Sequence, residues 1–180
     1  MSESQWWTSV SGKDLAQGDL LSGCLFPEFE KAPVPQEDGS PVEVNVNKGD
    51  LIIISQSCDL EQGKLKFVAA CPIIALEQFA AVNEAYANTA NGKGRRENIR
   101  KGRVASYHLV ASPIAPENNQ EALVVDFGQI ISLPFGYVAT HAESVGDRWR
   151  LNSPFLEHFS QALARFFMRV GLPSSIAPYR

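Results

Sequence analysis

The sequence predicts a mainly β domain with some α structure (α+β), closed by one amphipathic helix near its C-terminus. Two observations carry this prediction. Apolar, β-branched runs of strand length are separated by glycine, proline and polar turns. After Ser153-Pro154 the pattern changes to helical spacing. With 180 residues, 44% hydrophobic and 20% charged, the chain is expected to form a single globular domain over residues 1–180.

In chain order, Trp6 and Trp7 stand out in a largely polar opening, Ser2 to Gln17, and are expected to dock as an anchor. Leu20 to Phe26 reads as a first strand, and the proline-punctuated stretch from Pro27 to Pro41 as a surface loop. Val42 to Asn47 alternates with period two, as a half-exposed strand does, and Lys48-Gly49-Asp50 reads as a turn. Leu51 to Ile54 is apolar on both faces, which marks a central buried strand. Leu65 to Ile74 is a second long apolar strand, interrupted by Pro72, and Leu76 to Ala87 has the spacing of a short helix. Residues 88–103 are glycine-rich and basic and read as a mobile loop. Val104 to Ala111, Ala122 to Phe127 and Gln129 to Leu133 are further strands.

The closing helix spans 153–170. Ser153 suits the N-cap and Pro154 the first turn, where a missing N–H costs nothing. Phe155, Leu156, Phe159, Leu163, Phe166, Phe167 and Val170 form its apolar stripe, with Arg165 and Arg169 facing away, before Gly171 and Pro173 end it.

The net charge of −4 argues against broad affinity for nucleic acid or membrane and leaves room for a local basic patch. The first residues lack a signal-peptide pattern, and no apolar run approaches the roughly 18 residues of a membrane span. Three widely spaced cysteines, Cys24, Cys58 and Cys71, fit free thiols in a reducing cytoplasm. No membrane partner and no cofactor are expected.

Ser55-Gln56-Ser57-Cys58-Asp59 follows the central strand directly, and rigid scaffolds present chemistry at such strand ends. Four readings stand open. The residues satisfy a turn. Cys58 is a nucleophile with His108 or His141 as base and Asp59 orienting it. Cys58, Asp59 and a histidine bind metal, although no paired ligand spacing supports a metal site. Gln56 and Asp59 line an RNA groove. Lys93, Arg95, Arg96, Arg100, Lys101 and Arg103 make the dense positive patch of an acidic chain. They fit phosphate contacts, a solvated loop or an acidic protein partner. His108 in its strand reads as structural or groove-facing, His141 as a loop residue, and His158 as a surface residue of the closing helix.

Taken in order, these parts resemble the MazF/PemK-like toxin barrel, a small SH3-like fold found in ribosome-independent endoribonucleases. Gly18-Asp19-Leu20-Leu21 matches its opening strand, and Leu51 to Ser55 followed by Leu65 to Pro72 its central pair. Val124 to Leu133, then a helix ending in Gly171-Leu172, matches its closing strands and helix. The resemblance implies a closed SH3-like barrel, a bacterial source, RNA as ligand and a homodimer. The family's catalytic residues do not carry over. Its loop arginine has no counterpart in Glu43 to Asp50, and its Pro-Ile-Thr hydroxyl is replaced in Pro72-Ile73-Ile74. The resemblance therefore implies a non-catalytic binding or accessory module of a bacterial defence, toxin–antitoxin or mobile-element system. The alternative is a metal-independent endoribonuclease toxin with a rebuilt site, using Asp59, Cys58 or His108 with Arg100 and Arg103.

Overall fold

The apolar runs assemble into an antiparallel sheet in the computed structural model, which describes residues 5–28, 44–118 and 121–168. Its strands are β1 (Trp7–Val10), β2 (Asp19–Glu28), β3 (Asn45–Ile53), β4 (Phe67–Ala75), β5 (Tyr107–Val110), β6 (Leu123–Asp126), β7 (Ile131–Pro134) and β8 (Arg148–Leu151). The helices are α1 (Ser57–Glu61), α2 (Leu76–Val82), α3 (Ala90–Arg100), α4 (Phe135–Val145) and α5 (Phe155–Phe167), with a 3-10 turn at Glu84–Tyr86. The strand order is β1-β8-β2-β3-β4-β6-β5, and β7 also pairs with β4.

Side chains alternate across β3, and this alternation divides the core. Leu51 and Ile53 join Leu21, Cys24, Val68 and Leu133 under α4, which contributes Val138 and Ala142. Ile52 and Ile54 join Leu20, Cys71, Ile73 and Val125 under α5, which contributes Phe159. The expected central buried strand is therefore covered by a helix on each face. A third cluster packs Phe79 of α2 and Ile99 of α3 on Val124 of β6.

The expected barrel closure does not occur. The terminal strands β1 and β5, four residues each, are not paired with one another. The Trp7 indole instead spans the seam, donating from Nε1 to the carbonyl of Ala111 just beyond β5 at 2.8 Å. Trp7 is 2% exposed, so the tryptophan anchor is real and holds the two ends of an open sheet together.

Several local expectations are corrected. Lys48-Gly49-Asp50 is not a turn, because β3 runs through it opposite a register shift in β2 between Leu21 and Cys24. Asp50 Oδ1 accepts from the freed Gly23 N–H at 2.8 Å, so the polar triplet answers a bulge. Pro72 remains inside β4 where that strand changes partner, from β7 up to Ala70 to β6 from Ile73. The predicted helix from Leu76 breaks at Asn83, whose side chain accepts from Ala85 N and starts the 3-10 turn. His141 lies on α4, an element the sequence pattern did not predict, as were β1 and β8.

Residues 88–103 are not a loop. Thr89 caps α3 by accepting from Gly92 N at 3.1 Å. At the other end Gly102, at φ +64°, donates to Ile99 O, and Arg103 N donates to Asn98 O, a Schellman closure. In α5, Pro154 is the cap residue, and the Ser153 hydroxyl donates to Glu157 Oε1. Phe167 is 55% exposed, so the buried stripe is narrower than its spacing implied. Arg169, Val170, Gly171, Pro173 and most of the Pro27–Pro41 segment lie outside the described residues.

Candidate nucleic-acid interface

The Ser55–Asp59 segment works mainly as a seam between elements. Ser55 Oγ accepts from Ala69 N at 2.8 Å, and Ser57 Oγ accepts from Gln17 N at 3.1 Å. The Gln17 side chain in turn donates to Ile54 O at 3.0 Å and accepts from Ser160 of α5 at 3.0 Å. Both serines thus bind backbone amides of distant segments and do not close a local turn, so the turn reading is corrected: Ser57, Cys58 and Asp59 open the short helix α1. Gln56 and Cys58 are exposed and Asp59 is half-buried. Among the described residues, no hydrogen bond or ion pair joins Cys58 or Asp59 to a histidine, and no group of three His, Cys, Asp or Glu side chains is placed to hold a metal ion.

Both candidate bases are engaged elsewhere. His141 Nε2 donates to Ser22 O at 2.9 Å, capping the edge of β2 beside Tyr137, which bonds Leu25. His108 stacks near Phe127 (ring centroids 6.0 Å) and Phe159 (5.9 Å). Burial, with repulsion from Arg165 and His158, pushes its pKa down to about 4. His158 is exposed on α5, as expected.

The other two thiols are inert. Burial raises Cys24 and Cys71 to about 12, helped by Asp50 and Asp126 respectively. They belong to core clusters on opposite faces of the sheet, so they remain free.

The chemistry gathers instead beneath α3. A cleft of about 750 Å³ opens there, with apolar walls from Leu76, Ala80, Leu109 and Val110. Lys93, Arg96 and Arg100 line it from one helix face, as their i, i+3 and i+7 spacing requires. Trp6 and Ala111 line it from the β1–β5 seam, and Glu77 and Glu97 add two carboxylates.

The cations differ in freedom. Arg96 is held by the chain, donating to the carbonyls of Tyr86 and Ala87 and to Asn88 Oδ1. Arg100 forks onto Glu97 (2.7 and 2.6 Å), and Lys101 joins at 3.1 Å. Hydrogen bonds from Arg100, then Lys101, hold the Glu97 carboxyl down near pKa 2. Lys93, Arg95 and Arg103 have no ion-pair partner among the described residues. The basic residues therefore lie on or just beyond α3, where a loop was expected, and some of their charge is neutralised by Glu97.

Gly92 fixes how closely that helix sits. A Cβ there would lie 2.0 Å from Ala87 O, whereas at Gly94 it would meet nothing within 4 Å. Gly92→Ala is expected to lower stability by about 1–3 kcal/mol through overpacking. Gly94→Ala should raise it by up to about 1 kcal/mol through helix propensity. Urea unfolding of the two variants checks this, and equal effects would refute the close-contact role of Gly92.

Sequence reasoning missed the buried cluster of Asp19, Arg148 and Arg150. Asp19 is fully buried and Arg148 is 3% exposed. They come from β2 and β8, 129 residues apart, and no short-range pattern links them. No protein-family model matches the sequence, and comparison with curated proteins finds none similar to it.

Proposed function

We propose that this chain is a non-catalytic RNA-binding module that holds RNA phosphates at the cleft beneath α3. The observation that carries this is the shared face of Lys93, Arg96 and Arg100 on a formed cleft. Arg95 and Arg103 are not part of the cleft lining. We further propose a role as accessory subunit in a bacterial defence, toxin–antitoxin or mobile-element system, a reading supported by the resemblance of the order of parts in the sequence to the MazF/PemK-like toxins. The non-catalytic reading is supported by the engagement of His108 and His141 in packing and edge capping, away from Cys58 and Asp59.

Fluorescence anisotropy with a labelled single-stranded RNA tests the reading across a salt series. About three phosphate contacts correspond to a log–log slope near −2. The double variant Lys93→Glu/Arg103→Glu should lose at least roughly ten-fold in affinity and flatten that slope. Absence of binding at low salt, or unchanged binding by the double variant, would overturn the proposal. Metal-free RNA cleavage by wild type that disappears in Asp59→Ala would establish the endoribonuclease alternative instead.

A further inference from the structure

We infer that the cleft is a single-nucleotide subsite, in which one base of a single-stranded RNA stacks on Trp6 while its phosphate meets Lys93. This rests on the RNA-binding reading above and adds the part of the ligand that enters the cleft.

Trp6 is set up unlike the neighbouring anchor. Trp7 is buried and its N–H is spent on Ala111. Trp6 is half-buried and lies against Phe155 of α5, with ring centroids 3.7 Å apart and planes within 11°. That contact fixes the indole plane, yet Trp6 also lines the cleft. No hydrogen bond engages its Nε1 among the described residues, so the ring keeps a polar donor for a ligand. A fixed aromatic surface presented to a cavity is a stacking platform, and every base has a π-face to offer it.

The rest of the cleft matches a nucleotide in size and polarity. Its volume of about 750 Å³ falls within the range of small-ligand sites. The apolar walls from Leu76 and Leu109 suit a base, and Lys93 is a lining cation with no ion-pair partner among the described residues. Glu77, also in the lining, provides an acceptor for sugar hydroxyls and disfavours a second phosphate beside the first. Charge alone would give a surface that tracks a backbone. An aromatic residue lining the same cavity as the cations, with one ring face already held by Phe155, gives one that reads the presence of a base.

The experiment compares a labelled ten-residue RNA with a chain of equal length and charge that carries no bases. Wild type is expected to bind the base-bearing chain roughly ten- to a hundred-fold more tightly. Trp6→Ala should bind both chains equally, with its salt slope unchanged. Trp6→Phe, which preserves the stack on Phe155, should recover most of the difference and guards against a folding defect in the alanine variant. Lys93→Gln should weaken both chains by the same factor and reduce the salt slope by about one. Equal binding of the two chains by wild type overturns the nucleotide subsite and leaves the RNA-binding module standing. If neither chain binds, both proposals fall, and an acidic protein that competes for α3 becomes the ligand to test.

Discussion

Asp19→Ala is expected to cost the fold about 3–5 kcal/mol, read as a large fall in the urea midpoint, because it strands a buried arginine. Asp19 opens β2 and accepts from Arg148 Nε at 3.0 Å, from Arg150 Nη2 at 2.9 Å and from Ala16 N at 3.1 Å. Arg150 Nε also bonds it. The remaining Arg148 donors go to the carbonyls of Gly12 and Asp14, so one buried pair ties the 11–18 turn, β2 and β8 together. A domain of this kind has a total stability of roughly 5–15 kcal/mol, so the variant approaches unfolding at ordinary temperature.

The comparison variants separate charge from shape. Arg150 is partly exposed at the side chain (27%), and Arg150→Ala should cost much less than Asp19→Ala. Adding Arg148→Met to Asp19→Ala removes the stranded charge and should restore part of the loss. A loss below about 1 kcal/mol for Asp19→Ala would mean that water reaches Arg148 and that the cluster does not organise the fold.

The same cluster shows why the sequence was legible in some places and not in others. Strands whose two faces are both buried announce themselves, so Leu51 to Ile54 and Leu65 to Ile74 were readable as apolar runs. The α5 stripe was readable from Phe159, Leu163 and Phe166. The strands β1 and β8 were not, because they are four residues long and owe their place to partners far along the chain. Thr8 pairs with Arg150, and Arg148 is buried only because Asp19 waits for it. In α3 the glycines misled. Gly92 and Gly102 suggested a loose loop, yet one admits a close contact with Ala87 and the other closes the helix. The available signal was Thr89 placed ahead of a helical stretch ending at Gly102, a cap at each end. The basic residues were therefore legible as a cluster in sequence, and their support was misread, because residues 90–100 form a helix where a loop was expected. That Trp6 lines the same cleft depends on a sheet seam that no local pattern shows.

His108 yields the second large effect, and it bears on the choice between binding module and nuclease. The ring forms an aromatic triangle with Phe127 and Phe159, and its pKa of about 4 lies below the ordinary value of 6.5 because burial disfavours the imidazolium. The unfolded chain takes up this proton near pH 6.5, while the folded chain resists until about pH 4. Between those values the unfolded state holds more protons, so stability falls as pH falls. The full loss is about 3 kcal/mol, absent above pH 6.5 and complete below about pH 4. His108→Phe should remove this slope, because a ring of similar size cannot take up the proton. Urea unfolding of both proteins from pH 7.5 to pH 4 measures it, and parallel curves would contradict buried neutral packing. The same property makes His108 a weak base at neutral pH, where efficient proton abstraction calls for a pKa near the working pH. An RNA-cleaving site built on His108 would have to raise that pKa by drawing the ring out from Phe127 and Phe159. Binding at the α3 cleft requires no such change, and His108→Phe should leave RNA affinity unaltered.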